Sequence, residues 1–112
     1  MTDIFKDETG RTLRVNAGFD MSSNTELSLI FVDPNGATTT KTSADGVVIG
    51  AGVTDPDLGV LAANEYVEYP IESGLLSVAG RWCVQVLYTN TGVSPDDNLY
   101  GKIARFTVKE RC

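Results

Sequence analysis

No histidine occurs anywhere in these 112 residues. The commonest general base and the commonest biological metal ligand are therefore missing together, and Ser-His-Asp or Cys-His nucleophilic arrangements are excluded. Cysteine is almost as scarce. Cys83 and Cys112 are the only two, and a pair this far apart without histidine makes no zinc site. Neither a G-x-G-x-x-G nor a P-loop sequence is present. No apolar run approaches the ~20 residues that a membrane helix requires. Nine basic residues stand against fifteen acidic ones, a net charge of −6, and no cluster of Lys and Arg offsets it. An acidic chain repels phosphate backbones, so nucleic acid is not an expected partner. Nor is a membrane, because no basic amphipathic stretch is present.

The start, Met1-Thr2-Asp3-Ile4-Phe5-Lys6-Asp7, has no basic segment leading into an apolar one. No signal peptide is expected, and synthesis and folding in a cytoplasm are. In a reducing compartment Cys83 is expected as a buried thiol and Cys112 as a free tail thiol rather than as a disulfide.

What is present is a chain of β-branched and aromatic residues punctuated by Gly, Asn, Asp and Pro at short intervals. That pattern predicts many short strands joined by turns. A short strand is expected near Asp3 to Lys6, and an alternating one over Arg11 to Asn16. Thr25 to Val32 is the first strong strand, with Leu27, Leu29 and Phe31 on one face, the half-buried pattern of an antiparallel sheet. Asp33-Pro34-Asn35-Gly36 then reads as a turn. The threonine-rich return, Ala37 to Thr42, is polar on both faces and reads as an edge strand. Thr38, Thr39, Thr40 and Lys41 on it are the candidate interface residues, because an edge offers unpaired backbone groups to another chain.

Val47 to Val53 is a weak strand diluted by glycine, Thr54 to Gly59 a loop, and Glu65 to Tyr69 a strand that Pro70 limits. Ser73 to Ala79 fits either one helical turn or an irregular crossover. Gly80 to Thr89 is the second strong strand, central in its sheet, with Trp82, Val84, Val86 and Tyr88 on one face. Asn90 to Asn98 reads as a polar loop. Leu99 to Lys109 closes the chain, with Gly101 a place for irregularity near its start. The total is about seven or eight strands with turns every 8–12 residues, the signature of an antiparallel β-sandwich in a single domain spanning residues 1–112. Trp82, Leu29, Phe31, Val84 and Phe106 are the expected core anchors.

The remaining candidates for chemistry are weak. Asp55 with Asp57, and Asp96 with Asp97, lie in expected loops. Their spacing lacks the ligand number of a calcium loop, so they read as solvated turn residues. Gly50-Ala51-Gly52 has no following helix start and reads as glycine in a loose strand or turn. No catalytic residue, cofactor or metal site is expected.

Four segments, in order, resemble a known family. They are Ile4-Phe5-Lys6-Asp7 before the strand containing Leu13, and Phe19-Asp20-Met21-Ser22. Then come Leu29-Ile30-Phe31-Val32-Asp33-Pro34-Asn35-Gly36, and Leu75-Leu76-Ser77-Val78-Ala79-Gly80-Arg81-Trp82-Cys83-Val84-Gln85. Together they are similar to the Ig-like structural domains of tailed bacteriophages, found in upper-baseplate and tail-associated proteins. Position 33 is Asp where that family often has Lys or Arg, and Val47 to Asn64 and Asn90 to Asn98 match no segment of it. The resemblance implies an Ig-like sandwich in a multicopy virion protein made in the host cytoplasm. Such a protein is a tail, baseplate or fibre-attachment adaptor whose partners are other phage structural proteins. A capsid decoration protein and a carbohydrate-binding module are the alternatives, the latter using an exposed tyrosine such as Tyr66 or Tyr100.

Overall fold

A computed structural model describes residues 4–110, so the free tail thiol expected at Cys112 lies outside the described residues. The chain is all-β. In order, the strands are β1 (Ile4–Phe5), β2 (Thr12–Asn16), β3 (Glu26–Val32), β4 (Thr38–Thr42), β5 (Val48–Ile49), β6 (Val53–Asp55), β7 (Gly59–Leu61), β8 (Tyr66–Pro70), β9 (Gly80–Asn90), β10 (Asp97–Tyr100) and β11 (Ala104–Lys109). The larger sheet runs β1-β11-β9-β3-β4, and β10 pairs with the far half of β9. The smaller sheet runs β2-β8-β5.

The chain crosses between the two sheets after β1, β2, β4 and β8, so that β2 pairs with β8 and β3 with β9, and the two sheets form a β-sandwich. Among the described residues all pairings are antiparallel except one: β1 lies parallel to β11, with Ile4 opposite Val108. The sequence pattern gives no sign of this parallel pair, because two residues are too few to carry a period.

Alternation decides what is buried. Leu27, Leu29 and Phe31 of β3 face the interior with Trp82, Val84, Val86 and Tyr88 of β9, and Val15, Val67 and Tyr69 answer from the smaller sheet. Phe31 and Tyr69 meet across the sandwich with ring centroids 6.2 Å apart. Trp82 is 3 % exposed, stacks on Phe106 at 6.1 Å, and donates its indole N–H to the Val78 carbonyl at 2.9 Å. All five expected anchors lie in this core. Cys83 points to the opposite side of β9, where it is half-buried, so the expectation of a buried thiol is corrected. Ser73 to Ala79 forms turns that bury Leu75 and Leu76 and contains no helix.

The eleven segments exceed the seven or eight expected for two physical reasons. The closing strand is broken at Gly101, where a side chain would meet the Ala17 Cα at 2.8 Å. There the Gly101 carbonyl accepts from the Gln85 side chain at 2.8 Å, and the chain turns before resuming as β11. Asp97–Tyr100, placed by the pattern partly in a loop, pairs with β9 instead. The other excess is the β6–β7 hairpin. The pattern predicts a strand ending at Val53 and a loop after it, but the chain makes a second pairing, Val53 with Leu61, over the outside of the smaller sheet.

Candidate interaction surface

The β3–β4 hairpin is built by Asp33. Its backbone oxygen accepts from the Gly36 amide at 3.0 Å, and its carboxylate accepts from the amides of Asn35 and Ala37, both at 2.9 Å. A lysine or arginine side chain here could accept neither of the two carboxylate bonds, which gives the aspartate at position 33 a structural role.

The turn sends β4 back along β3 as the outermost strand of the larger sheet. In an antiparallel ladder, residues alternate between bonding the neighbour and pointing away from it. Asp33 N–H bonds the Ala37 carbonyl at 3.0 Å, which sets the phase: Thr39 and Lys41 bond to β3, and Thr38, Thr40 and Thr42 point outward. The outward groups of Thr42 are occupied. Its N–H donates to the Asp45 carboxylate at 2.9 Å, and its carbonyl accepts from Val47 N–H at 3.2 Å. Those of Thr38 and Thr40 have no partner among the described residues. Thr38, Thr39 and Thr40 are all exposed.

Lys41 differs from its neighbours. It lies on the inner face of β4, half-buried, and pairs with Glu72 at 2.6 Å. This contact ties the edge strand to the turn that follows β8. The Lys41 ammonium holds the Glu72 carboxyl below its ordinary value, against the opposing effect of burial. Burial, reinforced by the nearby Glu72 charge, pushes the Tyr69 phenol up. Lys41 therefore anchors the edge and is not itself free to meet a partner. Between β4 and the turn lies a polar cleft of about 590 Å³ lined by Asp33, Thr39, Lys41, Glu72, Ser73 and Ser77 among others.

The far end of β4 is equally fixed. The Ser43 hydroxyl and N–H donate to the Glu26 carboxylate, and these bonds hold that carboxyl below its ordinary value. The edge is thus a rigid strand clamped at both ends, with two residues of unpaired backbone between the clamps.

The tyrosine expectation is corrected in one place. Tyr66 is 1 % exposed, so it offers no stacking surface, while Tyr100 is 60 % exposed on β10. Tyr66 points to the outer side of the smaller sheet and is buried there by Gly50-Ala51-Gly52. A side chain at Gly50 would fall 2.0 Å from the ring, and Gly52 N–H donates to the phenol oxygen at 3.0 Å. These glycines are the cover of a buried ring, and their chemistry ends there.

Asp55 is likewise a positioned group. Burial raises its carboxyl, but the amides of Asp57 and Leu58 and the Arg14 guanidinium outweigh this and hold it low. Arg14 binds Glu68 at 2.8 Å and Asp55 at 3.1 Å, which pins the β6–β7 hairpin to β2 and raises the guanidinium further. Neither Glu72, Glu26 nor Arg14 carries a sequence signal, because each acts through a partner 17 to 54 residues away. Comparison with family models, with curated proteins and with solved structures returned no match.

Proposed function

We propose that this chain is a non-catalytic assembly domain, a tail, baseplate or fibre-attachment adaptor of a tailed-bacteriophage virion, and that it holds a neighbouring structural protein by strand addition to β4. The observation that carries the reading is the free backbone of Thr38 and Thr40 on a rigid, β-branched edge five residues long. Strand addition needs unpaired N–H and C=O groups, held in extended geometry and open to a folded neighbour. The other outer edges suit this less. β1 and β5 have two residues each, and the edge of β2 is recessed behind the turn Pro56-Asp57-Leu58. The ordered resemblance of four sequence segments to phage Ig-like domains supports the virion setting.

Cross-linking and mass spectrometry of purified particles test the proposal. The expected result is cross-links from a photoreactive residue introduced at the exposed position 38 or 40 to a tail or baseplate protein. Cross-links only to the capsid lattice would favour head decoration, and absence of the chain from particles would refute the virion role. Saturable glycan binding lost on Tyr100→Ala would favour the carbohydrate reading instead.

A further inference from the structure

On the side of the sandwich opposite β4, β2 ends the smaller sheet, and among the described residues β1 pairs with β11 only at Val108 and Lys109. Between the two strands lies a cleft of about 230 Å³. Its floor is apolar, formed by Leu13, Val84, Ala104 and Phe106, and the turn Pro56-Asp57-Leu58 forms one wall.

The backbone of β2 faces this cleft unpaired. Ile71 N–H donates to the Arg11 carbonyl at 2.8 Å and Ala17 N–H to the Glu65 carbonyl at 2.9 Å, so positions 11, 13, 15 and 17 bond toward β8. Alternation turns Thr12, Arg14 and Asn16 outward. Thr12 lies opposite Pro70, which has no N–H to offer, in agreement with that phase. Among the described residues nothing pairs with these outward groups. On the rim, Arg105 is exposed and forms no ion pair with any described residue.

We propose that this cleft takes one extended segment of a partner polypeptide. The segment adds to β2 as a strand, sets an apolar side chain between Leu13, Val84 and Phe106, and presents an acidic side chain to Arg105. Three observations select this occupant. A row of unpaired backbone donors and acceptors is matched by another backbone. The volume is below the ~300–1,000 Å³ of a small-molecule pocket and suits a side chain. Arg105 on the rim is exposed and has no ion-pair partner among the described residues, which matches an acidic side chain on the incoming segment.

The test is an amide NMR titration of the full chain with a defined probe: a capped seven-residue peptide alternating valine and threonine, with leucine at its centre and aspartate at both ends. The expected result is saturable shifts at Thr12, Arg14 and Arg105. Replacing the central leucine by alanine should weaken binding about tenfold. Arg105→Glu, an exposed substitution that leaves the core untouched, should weaken it roughly fivefold. Ala104→Phe, which fills the cleft, and methylation of alternate peptide amides should each abolish the shifts. The proposal is overturned by the absence of saturable shifts up to about 1 mM peptide. It is equally overturned by shifts confined to Thr38–Thr42, or by undiminished binding of the methylated peptide. Neither protein variant touches β4, so the outcome is independent of the adaptor reading.

Discussion

Replacing Gly50 by alanine probes the contact that shapes the outer side of the smaller sheet. The added methyl would lie 2.0 Å from the Tyr66 Cζ and 2.3 Å from both Cε atoms. Carbon atoms rest at about 3.5–4.0 Å, so ring and loop must separate by roughly 1.5 Å. The ring has little room, because Tyr66 is 1 % exposed and its oxygen accepts the Gly52 N–H at 3.0 Å. Overpacking of this kind costs about 1–3 kcal/mol, and loss of the hydrogen bond adds about 1 kcal/mol. Gly50 does not occupy the left-handed region, so alanine also recovers about 0.4–1 kcal/mol from the unfolded chain. The net expectation is destabilisation by about 2–3 kcal/mol in urea unfolding. In a Tyr66→Ala background the clash disappears, and Gly50→Ala should then be neutral or slightly stabilising. The two sites therefore couple by about 2 kcal/mol or more. A Gly50→Ala cost below about 0.5 kcal/mol, or strict additivity with Tyr66→Ala, would refute the packing described.

Trp82→Ala should cost about 3–5 kcal/mol in the same assay, since it empties a core site, removes the stack on Phe106 and orphans the Val78 carbonyl; a near-neutral result would contradict its burial. Thr40→Pro removes an outward N–H and no ladder bond, so thermal unfolding should change by less than about 1 kcal/mol while incorporation into particles is lost. Acid should destabilise the domain through Glu26 and Glu72. Their folded pKa values lie below the ordinary 4.5, so the stability they contribute is complete above that value and is lost as pH falls through the depressed folded values. Glu72→Gln should remove part of this acid dependence, seen as a shallower fall in Tm below about pH 4.5.

The sandwich is legible in the sequence wherever one strand is long enough to alternate. β3 and β9 show their inner faces as Leu27, Leu29 and Phe31 and as Trp82, Val84, Val86 and Tyr88, and those faces set the core. The edge character of β4 is legible too, because three threonines in a row offer no apolar face. What alternation cannot reveal is structure fixed by distant single contacts. The β6–β7 hairpin depends on Arg14 reaching Asp55, and Tyr66 is buried only because glycines 16 and 14 positions earlier lie against it. Lys41 has the pattern of an exposed edge residue, yet Glu72 draws it inward. The recessed edge of β2 is invisible for the same reason: it is defined by which strand is not beside it.

Hydrogen exchange at β4 tests the central claim most directly. In the isolated domain, the amides of Thr38 and Thr40 should exchange rapidly while those of Thr39 and Lys41 are protected by β3. In the assembled particle, Thr38 and Thr40 should become protected as well. Protection of Thr38 and Thr40 already in the free domain, or rapid exchange persisting at both after assembly, would contradict the account.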